Sequence, residues 1–371
     1  MDMKTEVIRK SFKNIKKFCI IFIGVLLLAL FFYYRFKYLG RVSMNYEKNK
    51  SNEKIMRYKK DKLLFTPELK DNLFLLILVS SSPHDERHRE KREAIRKTWG
   101  RCKHLHTLYK ESKYIPKNIT CKLVFFMGTT RNPTRISDEA EKFQDIIVVD
   151  YIDTYDLITR KLLATFKWSM KYKPKFILKA DDDVYIHLPR LIMKLQHVKT
   201  QNYYGGVVFQ TTVSRDKSHK HYVSHRYFNE TWYPPFCLGA LFVFTGSILQ
   251  SLLQATSTNP PFSVDDAYVG TLMNHLGVRP QSIDGFVKVS FQPLLSEIQD
   301  CSLHKLSGYS DSLTPNQITH MHERILFLSN QATFCLQLEK KTYFVSLIGF
   351  LFLFLFLFRV ELKTRFGAVR F

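Results

Sequence analysis

The sequence predicts an α/β sandwich built on a mainly parallel sheet. Three observations carry this expectation. Continuous apolar runs at 73–80, 122–127, 146–149 and 176–178 read as strands buried on both faces. Stretches with helical spacing separate them, as in a parallel sheet with crossover helices. The last run leads into three acids, Asp181, Asp182 and Asp183, and Val184, Tyr185 and Ile186 then resume the apolar pattern. Acids set between two hydrophobic segments belong at the lip of a sheet, where α/β proteins bind ligands.

In chain order, the strand at 73–80 is followed by a turn at 81–83 and a helix at 88–99, rich in Arg and Lys. A second strand at 122–127 leads to a helix at 136–143 and a third strand at 146–149. Residues 155–172 read as a helix, with Ile158, Leu162, Phe166 and Met170 on one face, and Pro174 stops it. The acid-tipped strand comes next, then a helix near 187–198. The second half is less regular. It offers strands at 203–209 and 240–245, a polar loop at 217–230, an aromatic, proline-stiffened turn at 232–239, and helices at 246–254 and 264–276.

The termini set the domain plan. Residues 1–17 are basic and 18–34 carry no charge, which predicts a cytosolic tail and an uncleaved signal-anchor helix with a luminal chain beyond it. Residues 35–70 read as a polar stem and 71–335 as the luminal domain. The tail at 336–371 holds sixteen uncharged residues, 343–358, followed by basic ones. It is either a second membrane span or an interfacial or aberrant segment. Asn118 and Asn229 begin glycosylation sequons. Five cysteines follow the anchor without CxxC spacing, which argues against zinc and permits disulfides. The formal charge of +23 would suit nucleic acid, but the basic residues are spread out and no nucleic-acid motif is present.

The acid triplet suggests a site for a hard cation, since Asp181 and Asp183 can both face one oxygen-loving ion. The plain alternative is a solvated turn with a capping Asp before the next helix. Asp265 and Asp266 open a later helix, where acids also serve simply as caps or complements to the helix dipole.

Five segments then fall into one pattern. Arg92, Ile95, Arg96, Thr98, Trp99 and Gly100 fit RxxIRxTWG. Asp150, Asp153, Tyr155, Thr159 and Lys161 fit DFxDxYxNLTxK, and Asp181 to Tyr185 fit DDDVF. Tyr233, Pro234, Pro235, Phe236 and Gly239 fit YPPYxxG, and Asp265, Asp266, Tyr268 and Gly270 fit (E/D)DVYxG. In this order the segments resemble the Golgi beta-1,3-glycosyltransferases, over about 73–335.

The resemblance implies a GT-A nucleotide-sugar-binding α/β/α sandwich and inverting transfer from a UDP-sugar. It implies Mn²⁺ held by Asp183, with Asp181 beside it, and Asp266 as the base, oriented by Asp265. Asp181, Asp182, Arg92, Arg96 and Lys161 would serve the nucleotide sugar, although Arg92 and Arg96 also suit structural ion pairs. Trp232, Tyr233, Phe236 and Gly239 would line the acceptor side. Cys301 with Cys335, and Cys102 with Cys121, would pair, leaving Cys237 odd. The implied setting is a single-pass Golgi membrane protein acting on glycans of protein or lipid. Galactose is the expected donor sugar, from the Cys237 position, with N-acetylglucosamine or a non-catalytic sugar-binding role as alternatives.

The chain departs from the pattern at four points. Leu241 replaces a glycine, Leu157 an asparagine and Ala267 a valine. Asp311 stands where a histidine is expected to complete the metal site, with His304 and His320 as alternatives.

Overall fold

A computed structural model describes residues 62–131, 134–288, 303, 305–310 and 312–330. The expectations for 1–34, for most of the stem, for 336–371, for Asp311 and His304, and for Cys301 and Cys335 lie outside them. No helix among the described residues is long and apolar enough to cross a membrane.

The strands are β1 (Leu63–Phe65), β2 (Leu75–Ser80), β3 (Cys121–Thr129), β4 (Ile146–Ile152), β5 (Phe176–Asp181), β6 (Val184–Ile186), β7 (Tyr204–Phe209), β8 (Phe236–Thr245), β9 (Gln281–Ser282), β10 (Phe286–Lys288) and β11 (Gly308–Ser310). The helices are α1 (Glu86–Lys97), α2 (Thr134–Phe143), α3 (Ile158–Ser169), α4 (Leu188–Gln196), α5 (Leu249–Ala255), α6 (Asp265–His275) and α7 (Pro315–Asn330). Eight strands form the main sheet in the order β1-β4-β3-β2-β5-β8-β7-β9.

The four apolar runs are β2, β3, β4 and β5, and these pair in parallel at the centre. Every residue of β2 is buried, as its unbroken apolar run requires. Alternate residues face two apolar layers. Leu75, Ile77, Phe125 and Leu178 pack on the side of Ile95 and Trp99. Leu76, Val124, Phe126 and Ile177 pack on the side of Leu162, Phe166 and Leu272. The sheet therefore has helices on both faces, as the sandwich expectation required.

Three features differ from the expectation. First, the sheet is mixed, because β8 returns antiparallel on β5, with Phe176 opposite Thr245, and β7 runs antiparallel to β8. Second, the stem expected to run to residue 70 ends earlier. Leu63 pairs with Val149, so β1 is already an edge strand of the domain. Third, Val184–Ile186 leaves the main sheet. As β6 it pairs with β11, which pairs with β10, in a small second sheet.

Helix α7 was not foreseen. Ile318, Met321, Ile325 and Leu328 recur at helical spacing and are buried, each burial contributing about 1.5–3 kcal/mol. The helix packs on α1. Trp99 and Trp168 are core residues, and the Trp99 indole donates to the Val184 carbonyl at 3.0 Å, tying the end of α1 to β6. Cys102 and Cys121 form the expected disulfide.

Leu241, where the resemblance has a glycine, is buried against β11. Its space exists because residue 308 is glycine; a Cβ there would run into the Leu241 side chain. The family glycine is thus exchanged for a leucine seated over a glycine of the neighbouring sheet.

Candidate active site

The three acids at the end of β5 have separate surroundings. Asp182 is buried and turned toward α1. It accepts from the Ser81 hydroxyl at 2.7 Å, pairs with His88 Nδ1 at 2.6 Å and lies 3.4 Å from Lys91 Nζ. Burial opposes its ionisation, but His88, Lys91 and Ser81 together hold its carboxyl below the usual range. Asp181 and Asp183 instead keep part of their side chains open, 36% and 28% exposed. Burial pushes Asp181 up to about 6, with Asp183 and Asp265 adding to the shift and Lys179 opposing it. Asp183 is also raised, by burial first and by Asp182.

The second pair of acids arrives on α6. Asp266 Oδ2 accepts from the Gly239 amide at 2.8 Å, and Oδ1 accepts from the Ala267 amide at 2.8 Å. Burial raises its carboxyl to about 6, and the charge of Asp265 adds to the shift. Asp265 is buried, and its Oδ2 lies 3.5 Å from Lys179 Nζ. Close approach of β8 explains two glycines. A Cβ on Gly239 would sit 3.1 Å from the Asp266 Cβ and Oδ2, and a Cβ on Gly270 would run into Phe236. So Gly239 lets the β8 amide reach Asp266, and Gly270 lets α6 lie on β8.

Lys179 stands between the two acid groups. It is buried, and its ammonium donates to Asp181 Oδ1 at 2.7 Å and to the Gly239 carbonyl. Its pKa is raised despite burial, because Asp181 and Asp265 face it.

The sequence-level ligand residues divide. Arg92 and Arg96 are engaged in ion pairs, the other reading their spacing allowed, and Arg92 also lines a cleft beside β2 and β3. Arg92 grips Glu139 through Nε at 2.9 Å and Nη2 at 2.5 Å, and Arg96 grips Asp145 through two bonds of 2.8 Å. Arg92 Nη1 also donates to Ser81 Oγ, and thereby supports the residue that holds Asp182. Lys161 is buried and lies 3.1 Å from Asp153 Oδ2, while Asp153 accepts from the Gly128 amide at 2.7 Å. Tyr233 and Phe236, expected to line the acceptor side, are buried in an aromatic cluster with Phe262. Trp232 is 55% exposed. His320 is exposed, as expected of a surface histidine. Asn118 and Asn229 are exposed, as modification requires.

Sequence reasoning missed Ser81, His88, Lys91 and Lys179. His88 and Lys91 share a face of α1 by their spacing of three, but no local signal says that this face meets Asp182.

Among the described residues no group of three or more His, Cys, Asp or Glu side chains is placed to hold a metal. Asp181 and Asp183 nevertheless fit a hard cation in donor chemistry. Both supply carboxylate oxygens, both are partly open, and both are raised by neighbouring acids whose repulsion a cation would relieve.

Comparison with known proteins adds three relatives. The chain is 31% identical to human lactosylceramide 1,3-N-acetyl-beta-D-glucosaminyltransferase over 243 residues, 61% of each chain. It is 32% identical to the Xenopus laevis form B of that enzyme over 226 residues, 57% of each. It is 30% identical to mouse beta-1,3-galactosyltransferase 1 over 223 residues, 57% of this chain and 64% of that one. The chain thus spans less than two thirds of the length of these relatives. Among solved structures, mouse xyloside xylosyltransferase 1 matches with a TM-score of 0.33 and 11% identity, over 65% of this chain and 97% of that one. The galactosyltransferase family model matches residues 90–284, more than half of the chain, and takes in every motif from Arg92 to Asp266. On that match, the chain belongs to the galactosyltransferase family.

Proposed function

We propose that the chain is an inverting GT-A transferase that moves a sugar from a UDP-sugar to the 3-hydroxyl of a terminal sugar, forming a beta-1,3 linkage. The observation that carries this is Asp266, a carboxylate raised to about 6 and fixed by two amides on the far side of Lys179 from Asp181. A base with this pKa is ionised at neutral pH yet more basic than an ordinary carboxylate. The acceptor hydroxyl gives its proton to Asp266 as its oxygen bonds to the anomeric carbon. The bond from that carbon to the diphosphate breaks, and UDP leaves with the electron pair.

Mn²⁺, held by Asp183 and Asp181, would supply positive charge for the diphosphate. Asp182, already held by Ser81, His88 and Lys91, fixes the backbone between those two ligands. A cleft of about 530 Å³ beyond the carboxyl ends of β2, β3 and β4 suits the nucleoside; Pro83, His84, Thr130, Arg131 and Ile152 line it, with the Arg92–Glu139 pair in its wall. Trp232, exposed beside the β8 turn, suits the face of an acceptor sugar.

Galactose is the donor sugar expected from the sequence. The Cys237 position behind that expectation is buried, its amide donates to the Tyr204 hydroxyl, and its thiol lies near enough to Asp266 to feel that charge. N-acetylglucosamine is the second reading, favoured by the names of the human and Xenopus relatives. The acceptor is a glycan on protein or lipid, and the domain works in the Golgi lumen, anchored by residues 18–34. UDP release from UDP-galactose and UDP-N-acetylglucosamine, with Mn²⁺ and galactoside or hexosaminide acceptors, tests the reaction. Activity on either donor that survives both Asp183→Ala and Asp266→Asn would overturn it. Protease protection of the domain in sealed microsomes tests its placement.

A further inference from the structure

Among the described residues, Lys179 is the one strongly buried cation that touches both acid groups of the site, 1% exposed in its side chain. A lysine at this depth is costly unless its charge is met by acceptors and opposite charges. Its neighbours are Asp181 Oδ1 at 2.7 Å, the Gly239 carbonyl, and Asp265 Oδ2 at 3.5 Å. Each neighbour belongs to a different element: the tip of β5, the bend of β8 and the first turn of α6. Gly239 then continues the chain of contacts. Its carbonyl meets Lys179, while its amide holds Asp266 Oδ2 at 2.8 Å. An unbroken line of contacts therefore runs from Asp181 through Lys179 and Gly239 to Asp266.

We propose that Lys179 is a positioning residue that sets the proton-accepting end of the site in register with the leaving-group end. The inference rests on the transferase reading above. Lys179 touches no substrate and carries no proton in the reaction. It fixes the separation between the carboxylate at the departing diphosphate and the carboxylate that takes the acceptor proton. A tetrahedral ammonium can donate to β5 and β8 while its charge faces a carboxylate on α6 at 3.5 Å. A planar guanidinium donates as a fork and cannot reproduce that arrangement. Methionine fills the space with no donor.

The test compares steady-state kinetics of the full chain with those of Lys179→Met and Lys179→Arg. Both variants should keep the donor and acceptor KM within about threefold of wild type, because bound ground states need no alignment of base with leaving group. In Lys179→Met kcat should fall about 100-fold, the scale of an ångström of misplacement, and in Lys179→Arg at least about tenfold. If Lys179→Met does not fold, the charged Lys179→Arg decides alone. Wild-type kcat in Lys179→Arg overturns the proposal, as does a raised donor KM with kcat unchanged, which would confine Lys179 to donor binding. A wild-type chain that turns over neither UDP-sugar overturns the transferase reading instead, and this proposal with it.

Discussion

Glu139→Gln separates two accounts of the arginine pair on α1. In the structure Glu139 is buried and receives Arg92 through two bonds and Arg96 through a third at 2.8 Å. The amide keeps the size of the carboxylate and removes its charge. Arg96 retains Asp145, whereas Arg92, only 3% exposed, keeps an amide oxygen, a hydroxyl and a backbone carbonyl but no opposite charge. Removing one partner of a buried ion pair costs about 3–5 kcal/mol, because the remaining charge stays desolvated. For a domain of this size each kcal/mol moves the melting temperature by roughly 2–4 °C, so the variant should melt about 6–20 °C lower. The assay is a thermal melt with UDP-sugar kinetics run well below the transition, where KM should be near wild type. A melting point within about 2 °C of wild type, with donor KM raised tenfold or more, would refute the ion-pair account. It would return Arg92 and Arg96 to the nucleotide, where the resemblance placed them.

Other predictions follow from the same geometry. Asp266→Asn should lower kcat by about 10²–10⁴ without lowering the melting temperature; a loss under tenfold would remove Asp266 as the base. Because Asp266 must be unprotonated to accept, kcat/KM should climb as pH rises through about 6 and then level, and a flat acid limb would contradict the assignment. Gly239→Ala places a methyl 3.1 Å from the Asp266 carboxylate and should cost about 10–100-fold in kcat, measured against an unchanged melt. Replacing Cys102 and Cys121 together by serine opens a link spanning 19 residues and should cost about 3 kcal/mol in denaturant unfolding.

What the sequence made legible depended on how far each feature reaches along the chain. Strands β2, β3, β4 and β5 were readable because burial on both faces leaves an unbroken apolar run. Helix α3 was readable from its stripe, of which Leu162 and Phe166 are buried while Met170 is exposed, and its ends tighten into turns at 155–157 and 170–172. The short strands β1, β9, β10 and β11 carry too few residues to show a period and exist only because a partner lies beside them. The acids were legible as acids, but the division of labour among them was not. Asp182 faces inward and its two neighbours outward because β5 ends in a turn before β6, and Ser81, which meets Asp182, lies 101 residues away. Arg92 and Arg96 gave a true spacing on one helix face, while their acceptors Glu139 and Asp145 lie more than forty residues on. Lys179, at the end of an apolar run, carried no signal that it would meet groups on two other elements.

The leucine at 241 has a consequence for anyone recombining this chain with its relatives. The side chain occupies a notch that exists only because residue 308, on another sheet and far along the chain, has none. The two positions behave as a single site split between distant segments of the chain. A chimera that imports a relative's β8 with glycine would leave the notch as a void. One that imports a larger residue at 308 would collide with the native leucine. Crossovers between 241 and 308 should therefore be poorly tolerated, and those outside that interval should carry the pair intact.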